Sequence, residues 1–528
     1  MAFPTLRKYL PEAAAVASGA LLSISFAPME VSEAAWLALV PLLVAVRFAV
    51  GLREVFRLGF ISGSVFWLTS IWWISRVSYV GWLALAFYCA LYVGAFAAAA
   101  YLWLRRFGHE RLWINVGFMV YAACAWAGLE LMRSTFASGF AWNALGVSQY
   151  HNVALLQGAA WGGVYAVSAL LVWINAGLAL TAMRYIQRGG FWGRRPHVEL
   201  MLGFLVLAIA FFSGARRARD LHPGEAELRV ALIQTGIPQD DKWDSNTVNT
   251  IYRRLTELTT AALRTGPLDL IIWPETALPD DVRYSEPSYK VVYDLCTNGA
   301  PILVGSMDTQ WVDDRQPIYY NSSFLFDEEG IVVGSYEKQH LVPFGEYVPL
   351  SGTFPFLKGM TPIEESFSPG KKSTVFELKD GSTFSVLICF EDTIARLARK
   401  AVRAGARLLV NQTNDAWFDP SSASRQHMAQ CVLRVVETGV PAVRVANTGV
   451  SCYIDRRGIV RKQLLNEQGG TVFPGFGTVL INPAPEALPQ TFYVQRGELL
   501  PAAAGFAALA MALILRRARR AGAAAIAE

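Results

Sequence analysis

Three residues in this sequence combine types that could carry covalent chemistry: Glu275, Lys338 and Cys389. Each closes a short apolar run, in "LDLIIWPE", "VVGSYEK" and "STFSVLIC". Such runs read as buried strands, and side chains just past a strand end sit at the rim of a sheet where loops can enclose a substrate. A cysteine attacks best as thiolate, and a nearby ammonium favours that form. A carboxylate held out of bulk water can take the thiol proton and return it to a leaving group. A lysine can also stabilise the oxyanion of a tetrahedral intermediate. Together these roles describe acyl transfer through a thioester, with either water or an amine as second nucleophile. Each residue also has a plainer reading: Cys389 as a packed hydrophobe, Glu275 as a helix cap after Pro274, Lys338 as a solvated hairpin charge. Residue types alone leave both readings open.

The elements that must position these residues occupy the second half of the chain. From about residue 228, short β-rich runs alternate with helical patterns. "LRVALIQ", "LDLIIW", "PILVGS", "STFSVLIC", "ARLLVNQ" and "PAVRVAN" read as strands. The segments 246–264, 393–404 and 424–437 read as helices, the first with Asn246 as its cap. "NSSFLFDEEGIVVGSYEK" reads as a hairpin turning at Glu329-Gly330. This pattern predicts an α/β domain on a mixed sheet. No Walker A motif and no GxGxxG leading into a helix is present, which argues against phosphate-loop nucleotide chemistry.

The first half is different. The chain has 528 residues, 53% hydrophobic and 17% charged, with net charge +5 and mean hydropathy +0.31. That apolar excess points to membrane spans. Seven are expected before residue 216, at roughly 12–28, 34–50, 58–75, 77–104, 112–132, 156–180 and 199–215, and an eighth at 501–515. The predicted domains are therefore 1–215 (seven spans), 216–498 (α/β) and 499–527 (last span and basic tail). Arg7 and Lys8, Arg53 and Arg57, Arg105, Arg106 and Arg111, Arg184, Arg188, Arg194 and Arg195, and Arg516, Arg517, Arg519 and Arg520 all fall on one side of that scheme. The positive-inside rule makes that side cytoplasmic and the α/β domain extracytoplasmic, against the opposing vote of Arg216, Arg217 and Arg219. These clusters abut apolar runs and lack interleaved aromatics, so they read as membrane flanks and not as a nucleic-acid surface. The six cysteines show no CxxC spacing, which argues against zinc or dithiol chemistry. Cys431 and Cys452 form a candidate disulfide pair.

"WPE" around Glu275, "EKQHLVPFGEYVP" around Lys338 and "ICFED" around Cys389 resemble the three catalytic blocks of the nitrilase superfamily. With seven spans before them and one after, the chain resembles the apolipoprotein N-acyltransferase family of that superfamily. The resemblance implies a four-layer α-β-β-α sandwich for the extracytoplasmic domain, in the bacterial inner membrane. It implies Glu275 as general base, Lys338 as oxyanion stabiliser and Cys389 as nucleophile. Glu346, Glu391 and Trp243 match further residues important near that triad. The position after the nucleophile is usually Tyr in the family pattern and is Phe390 here. The implied reaction moves an sn-1 acyl chain from a phospholipid, commonly phosphatidylethanolamine, through a cysteine thioester to the N-terminal amine of a diacylglyceryl-cysteine lipoprotein. No metal or soluble cofactor is implied, and a monomer is expected. The apolar loops 352–359 and 416–420 are candidate lipid contacts.

Overall fold

The computed structural model describes residues 4–108, 111–188, 197–311, 317–349, 351, 366–487 and 489–527. Arg194, Arg195 and the loop 352–359 therefore lie outside the described residues. The chain divides into two compact units, Met1–Asp220 with Gln495–Glu528, and Leu221–Val494.

The first unit is helical. Among the described residues, five helices are long and apolar enough to cross a membrane: Tyr79–Phe107, Leu112–Thr135, Val164–Gln187, Val198–Asp220 and Leu499–Arg517. Two further long helices are Pro4–Ile24 and Leu52–Ser70. Two expected spans differ from the sequence reading. The candidate 156–180 is interrupted at Gly163, which has φ +66°, and the long helix begins only at Val164. The candidate 34–50 is not one helix. It forms a 3-10 turn, Ser32–Trp36, and a nine-residue helix, Val40–Phe48. Pro41 starts the second piece, because proline cannot continue a helix arriving from its N-terminal side. Nine residues rise only about 13 Å.

The break between the two pieces is chemically satisfied. Buried Asn175 accepts from the Leu39 N–H at 2.8 Å and donates to Ala35 O at 2.9 Å. The Ser18 hydroxyl donates to Ala38 O at 2.5 Å. Non-helical backbone at membrane depth needs such partners, since no solvent supplies them. The helices on either side run parallel: Glu12 pairs with Arg57 at 2.6 Å near their starts, and Thr69 donates to Ser23 at 2.8 Å near their ends.

The described residues of the second unit form two six-stranded sheets. The strands are β1 (Leu228–Gln234), β2 (Leu270–Ile272), β3 (Ile302–Trp311), β4 (Pro317–Phe326), β5 (Val332–Glu337), β6 (Phe376–Glu377), β7 (Thr383–Ile388), β8 (Leu408–Thr413), β9 (Ala442–Ala446), β10 (Cys452–Ile454), β11 (Val460–Gln463) and β12 (Gly475–Ile481). Their orders are β12-β1-β2-β3-β4-β5 and β11-β10-β9-β8-β7-β6. In each sheet three parallel strands, β1-β2-β3 or β7-β8-β9, are flanked by antiparallel ones.

Alternation along β1 shows how the sequence builds this. Val230 and Leu232 join a core shared with Val386, Ile388, Val410 and Val443 of the second sheet. Ala231 and Ile233, facing the other way, pack with Ile251, Leu255, Val292 and Leu295 from the helices Val248–Leu263 and Glu286–Cys296. At about 25 cal/mol per Å² of apolar area removed from water, both faces stabilise the sheet. Helix Val248–Leu263 is preceded by Thr247, not capped by Asn246, whose amide instead bonds Asp244 at 2.9 Å. Cys431 and Cys452 are free and buried, so the candidate disulfide is not formed. Cys431 lies on helix Ala423–Thr438 and Cys452 on β10.

Candidate active site

Glu275, Lys338 and Cys389 follow β2, β5 and β7 respectively. The β2 end is fixed by backbone bonds to β3: Trp273 N–H to Leu303 O at 2.9 Å, and Ala277 N–H to Gly305 O at 2.8 Å. Gly305 is required there, because a Cβ would meet Pro274 O at 2.3 Å and Glu275 Cα at 2.9 Å. Lys338 is held by its N–H, which donates to Asn321 O at 2.8 Å. Gln412 on β8 ties the sheets together. Its amide donates to Trp273 O at 2.6 Å, and its oxygen accepts from the β4 residue Ser323 at 2.6 Å.

Lys338 is 1% exposed and stands between two carboxylates. Its Nζ is 2.8 Å from Glu346 Oε1 and 3.4 Å from Glu275 Oε1. The Asn321 amide donates to the same two oxygens, at 3.1 Å and 2.8 Å. Glu346 Oε2 accepts from the Val342 N–H at 2.8 Å. Burial opposes the ammonium, but Glu346 and then Glu275 outweigh it and hold the pKa of Lys338 above its ordinary value. The lysine is therefore a fixed cation.

Cys389 opens a 3-10 turn, Cys389–Thr393, with φ +51°. A non-glycine residue in the left-handed region persists only where its surroundings over-determine it. Those surroundings are visible. Asn411 donates to Cys389 O at 3.0 Å and to Leu387 O at 3.0 Å. His427 Nε2 lies 2.8 Å from Asp392 Oδ1 in ion-pair contact and 3.3 Å from Cys389 O. Arg444, fully buried, donates to Asp392 at 2.7 Å, Asn411 at 2.8 Å and Asp415 at 2.8 Å. Asp415 also lies 2.9 Å from His427 Nδ1. A buried platform of two aspartates, an arginine and a histidine thus underlies the cysteine.

Burial raises the Cys389 pKa, Glu275 raises it further, and Lys338 only partly offsets them. The sequence reading had a nearby ammonium favour the thiolate and a carboxylate take the thiol proton. In the structure the sulfur rests as a thiol, because desolvation and a carboxylate outweigh one ammonium already shared by two acids. Attack then requires proton removal as it proceeds, and Glu275 is the carboxylate electrostatically coupled to the thiol most strongly.

Glu391 is fully buried and binds two segments. Oε1 accepts from the Gln339 and His340 N–H groups at 2.6 and 2.9 Å, and Oε2 from the Tyr336 hydroxyl and the Ile388 N–H, both at 2.8 Å. Phe390 stacks on His340, ring centroids 6.1 Å apart. Burial, then Arg396 and Lys338, lower the His340 pKa to about 4, so its ring is neutral at physiological pH. Trp243 is not brought into the cluster. It is half-exposed and has Lys242 Nζ 6.0 Å from its ring. In the 416–420 loop, Trp417 is likewise half-exposed.

Sequence reasoning missed Lys242, Asn321, Asp415, His427 and Arg444. Lys242 directly precedes Trp243, and Asp415 lies three residues past the run "ARLLVNQ".

Comparison with known proteins decides the family. Residues 18–177 match the apolipoprotein N-acyltransferase N-terminal domain, and residues 229–475 match the carbon-nitrogen hydrolase domain. A Geobacter metallireducens protein named apolipoprotein N-acyltransferase is 39% identical over 472 residues, 85% of each chain. The chain belongs to the apolipoprotein N-acyltransferase family. A relative of the same name from Chlorobaculum tepidum is 31% identical over 466 residues, covering 83% of this chain and 85% of its own. Among solved structures, Saccharomyces cerevisiae Nit3 of the nitrilase superfamily is 19% identical, with TM-score 0.36, over 49% of this chain and 90% of its own. As a member of the apolipoprotein N-acyltransferase family the chain is an acyltransferase, a multi-pass protein of the bacterial inner membrane with its catalytic domain in the periplasm.

Proposed function

We propose that the protein moves an sn-1 acyl chain from a membrane phospholipid, such as phosphatidylethanolamine, to the α-amine of a diacylglyceryl-cysteine lipoprotein, through a thioester on Cys389. The observation that carries this is the convergence of Glu275, Lys338 and Cys389 at three strand ends, with Lys338 Nζ 3.4 Å from Glu275 Oε1. In the first half-reaction Glu275 takes the thiol proton while Sγ bonds to the ester carbonyl carbon. Lys338 faces the oxyanion. Collapse breaks the ester C–O bond, and Glu275 returns the proton to the departing lysophospholipid oxygen. In the second half-reaction Glu275 takes a proton from the attacking amine and returns it to the thiol as the C–S bond breaks. Glu346 holds Lys338 charged throughout. Glu391 supports the site by joining the Lys338 and Cys389 segments, and Trp243, outside that cluster, is read as acting at the margin beside Lys242.

The periplasmic domain, 216–498 by composition, is read as a four-layer α-β-β-α sandwich, supported by the inter-sheet core and the helix-covered outer face of the first sheet. The membrane part, 1–215 and 499–527, is read as eight crossings. The parallel helices Pro4–Ile24 and Leu52–Ser70 require the chain between them to return, and segment 34–50 makes that return in two pieces. A membrane-embedded enzyme suits lipid substrates, since withdrawing an acyl chain costs about 0.8 kcal/mol per CH₂. The protein is read as acting as a monomer, on membrane lipid and diacylated lipoprotein.

The test is product analysis with phosphatidylethanolamine and a diacylglyceryl-peptide. Triacylated peptide and lysophospholipid in equal amounts support the reading. Free fatty acid with the peptide unchanged would make the protein a hydrolase.

A further inference from the structure

We infer that Lys242 is a second cationic group of the active site, which stabilises the negative charge that develops on the reacting atoms at Cys389. This rests on the thioester reading above. Lys242 and Lys338 are the two lysines buried among the described residues, at 4% and 1% exposure. Their surroundings differ sharply. Lys338 touches two carboxylates. Among the described residues Lys242 has no carboxylate within ion-pair reach, and its Nζ donates to one acceptor, the backbone carbonyl of Glu275, at 3.1 Å. An ammonium carries three donors, so two have no acceptor among the described residues.

A buried ammonium that touches no carboxylate is costly, and a purely structural side chain at this place would be better apolar. Residues kept against that cost cluster at functional sites. Charge balance gives the reason. Glu275, Glu346 and Lys338 alone leave one negative charge in excess, which opposes both a thiolate and an oxyanion. Lys242 cancels that excess, and its charge acts on Glu275 and Cys389 through the water-poor site. Burial lowers its pKa to about 8, against the pull of Glu275 and Cys389, so it is charged at neutral pH. No proton leaves Lys242 in the reaction. The thiol proton goes to Glu275, the C–S bond forms, and the carbonyl π pair becomes the oxyanion.

The test is single-turnover acylation of the full-length protein in phosphatidylethanolamine-containing micelles, read by intact mass. Wild type is compared with Cys389→Ala, Lys242→Met and Lys242→Gln. Met removes charge and hydrogen bond, whereas Gln keeps a donor for the Glu275 carbonyl and loses only charge. Both variants are expected to acylate about 100-fold more slowly and to melt no lower than wild type. A wild-type rate in either variant overturns the inference, as does a fall in melting temperature in both, which would assign Lys242 a structural role. An adduct absent from wild type itself would overturn the thioester reading and this inference with it, and so is distinguishable from failure of the inference alone.

Discussion

The Tyr336 hydroxyl donates to Glu391 Oε2 at 2.8 Å, joining the strand that leads to Lys338 with the turn that holds Cys389. Three backbone N–H groups share the same carboxylate. Glu391→Ala orphans all four donors, at about 1–3 kcal/mol for each that water cannot reach. We expect a loss of about 3 kcal/mol or more in denaturant unfolding, with acylation falling alongside it. Tyr336→Phe removes a single donor and should cost about 1 kcal/mol. Equal effects from the two substitutions would show that the carboxylate is not the tie.

Gly305 lies directly under Glu275, so Gly305→Ala must push the 274–276 backbone aside. A displacement near 1 Å costs about 100-fold in rate. The first half-reaction should slow by that order, measured as lysophospholipid release. Wild-type release would mean that the position of Glu275 does not limit attack on the ester.

Removing Glu346 leaves Lys338 with one carboxylate at 3.4 Å and orphans the Val342 N–H. Glu346→Ala should destabilise by about 3–5 kcal/mol, the usual result of breaking a buried pair. Glu346→Gln can still accept from Val342, so its stability loss should be smaller while its activity loss stays comparable. Denaturation and turnover measured on both variants check this separation.

The platform beneath Cys389 gives a pH signature. Burial opposes the charge of Asp415, but Arg444 and His427 hold its pKa down to about 2, against an ordinary 3.8. Its contribution to stability is therefore present above about pH 4 and lost as pH falls toward 2. Burial and Arg444 oppose the charge of His427, yet Asp392 and Asp415 raise its pKa above the ordinary 6.5. That contribution is present below pH 6.5 and lost as pH rises through the raised value. Asp415→Asn should abolish the acid-side fall in melting temperature that it causes, and His427→Gln the alkaline-side fall. Unchanged pH profiles in both variants would contradict the platform's charge assignment.

Much of this site was readable because its chemistry sits in contiguous blocks. "IIWPE", "EKQHLVPFGE" and "ICFED" each attach a polar group to the end of an apolar run, and the strands are where alternation put them. The platform was not readable. Asp392, Asp415, His427 and Arg444 meet only because β7, β8, β9 and helix Ala423–Thr438 pack together, and nothing local in "SRQHMAQ" marks His427 as a partner of two aspartates. Lys242 carries no local mark beside Trp243, and its burial is a tertiary fact. The left-handed backbone of Cys389 is equally invisible, since no glycine announces it. In the membrane part, Pro41 and Gly163 were the signals that segments 34–50 and 156–180 are not single helices, and apolar composition masked them.

The most direct measurement is the mass of the intact protein after exposure to phosphatidylethanolamine, with the adduct mapped by peptide and tested with neutral hydroxylamine. One acyl group on Cys389, cleaved by hydroxylamine, absent from Cys389→Ala and discharged onto a diacylglyceryl-peptide, is the expected result. An unmodified Cys389 in folded wild-type protein that nonetheless produces triacylated peptide would contradict the thioester and require direct transfer between lipid and amine.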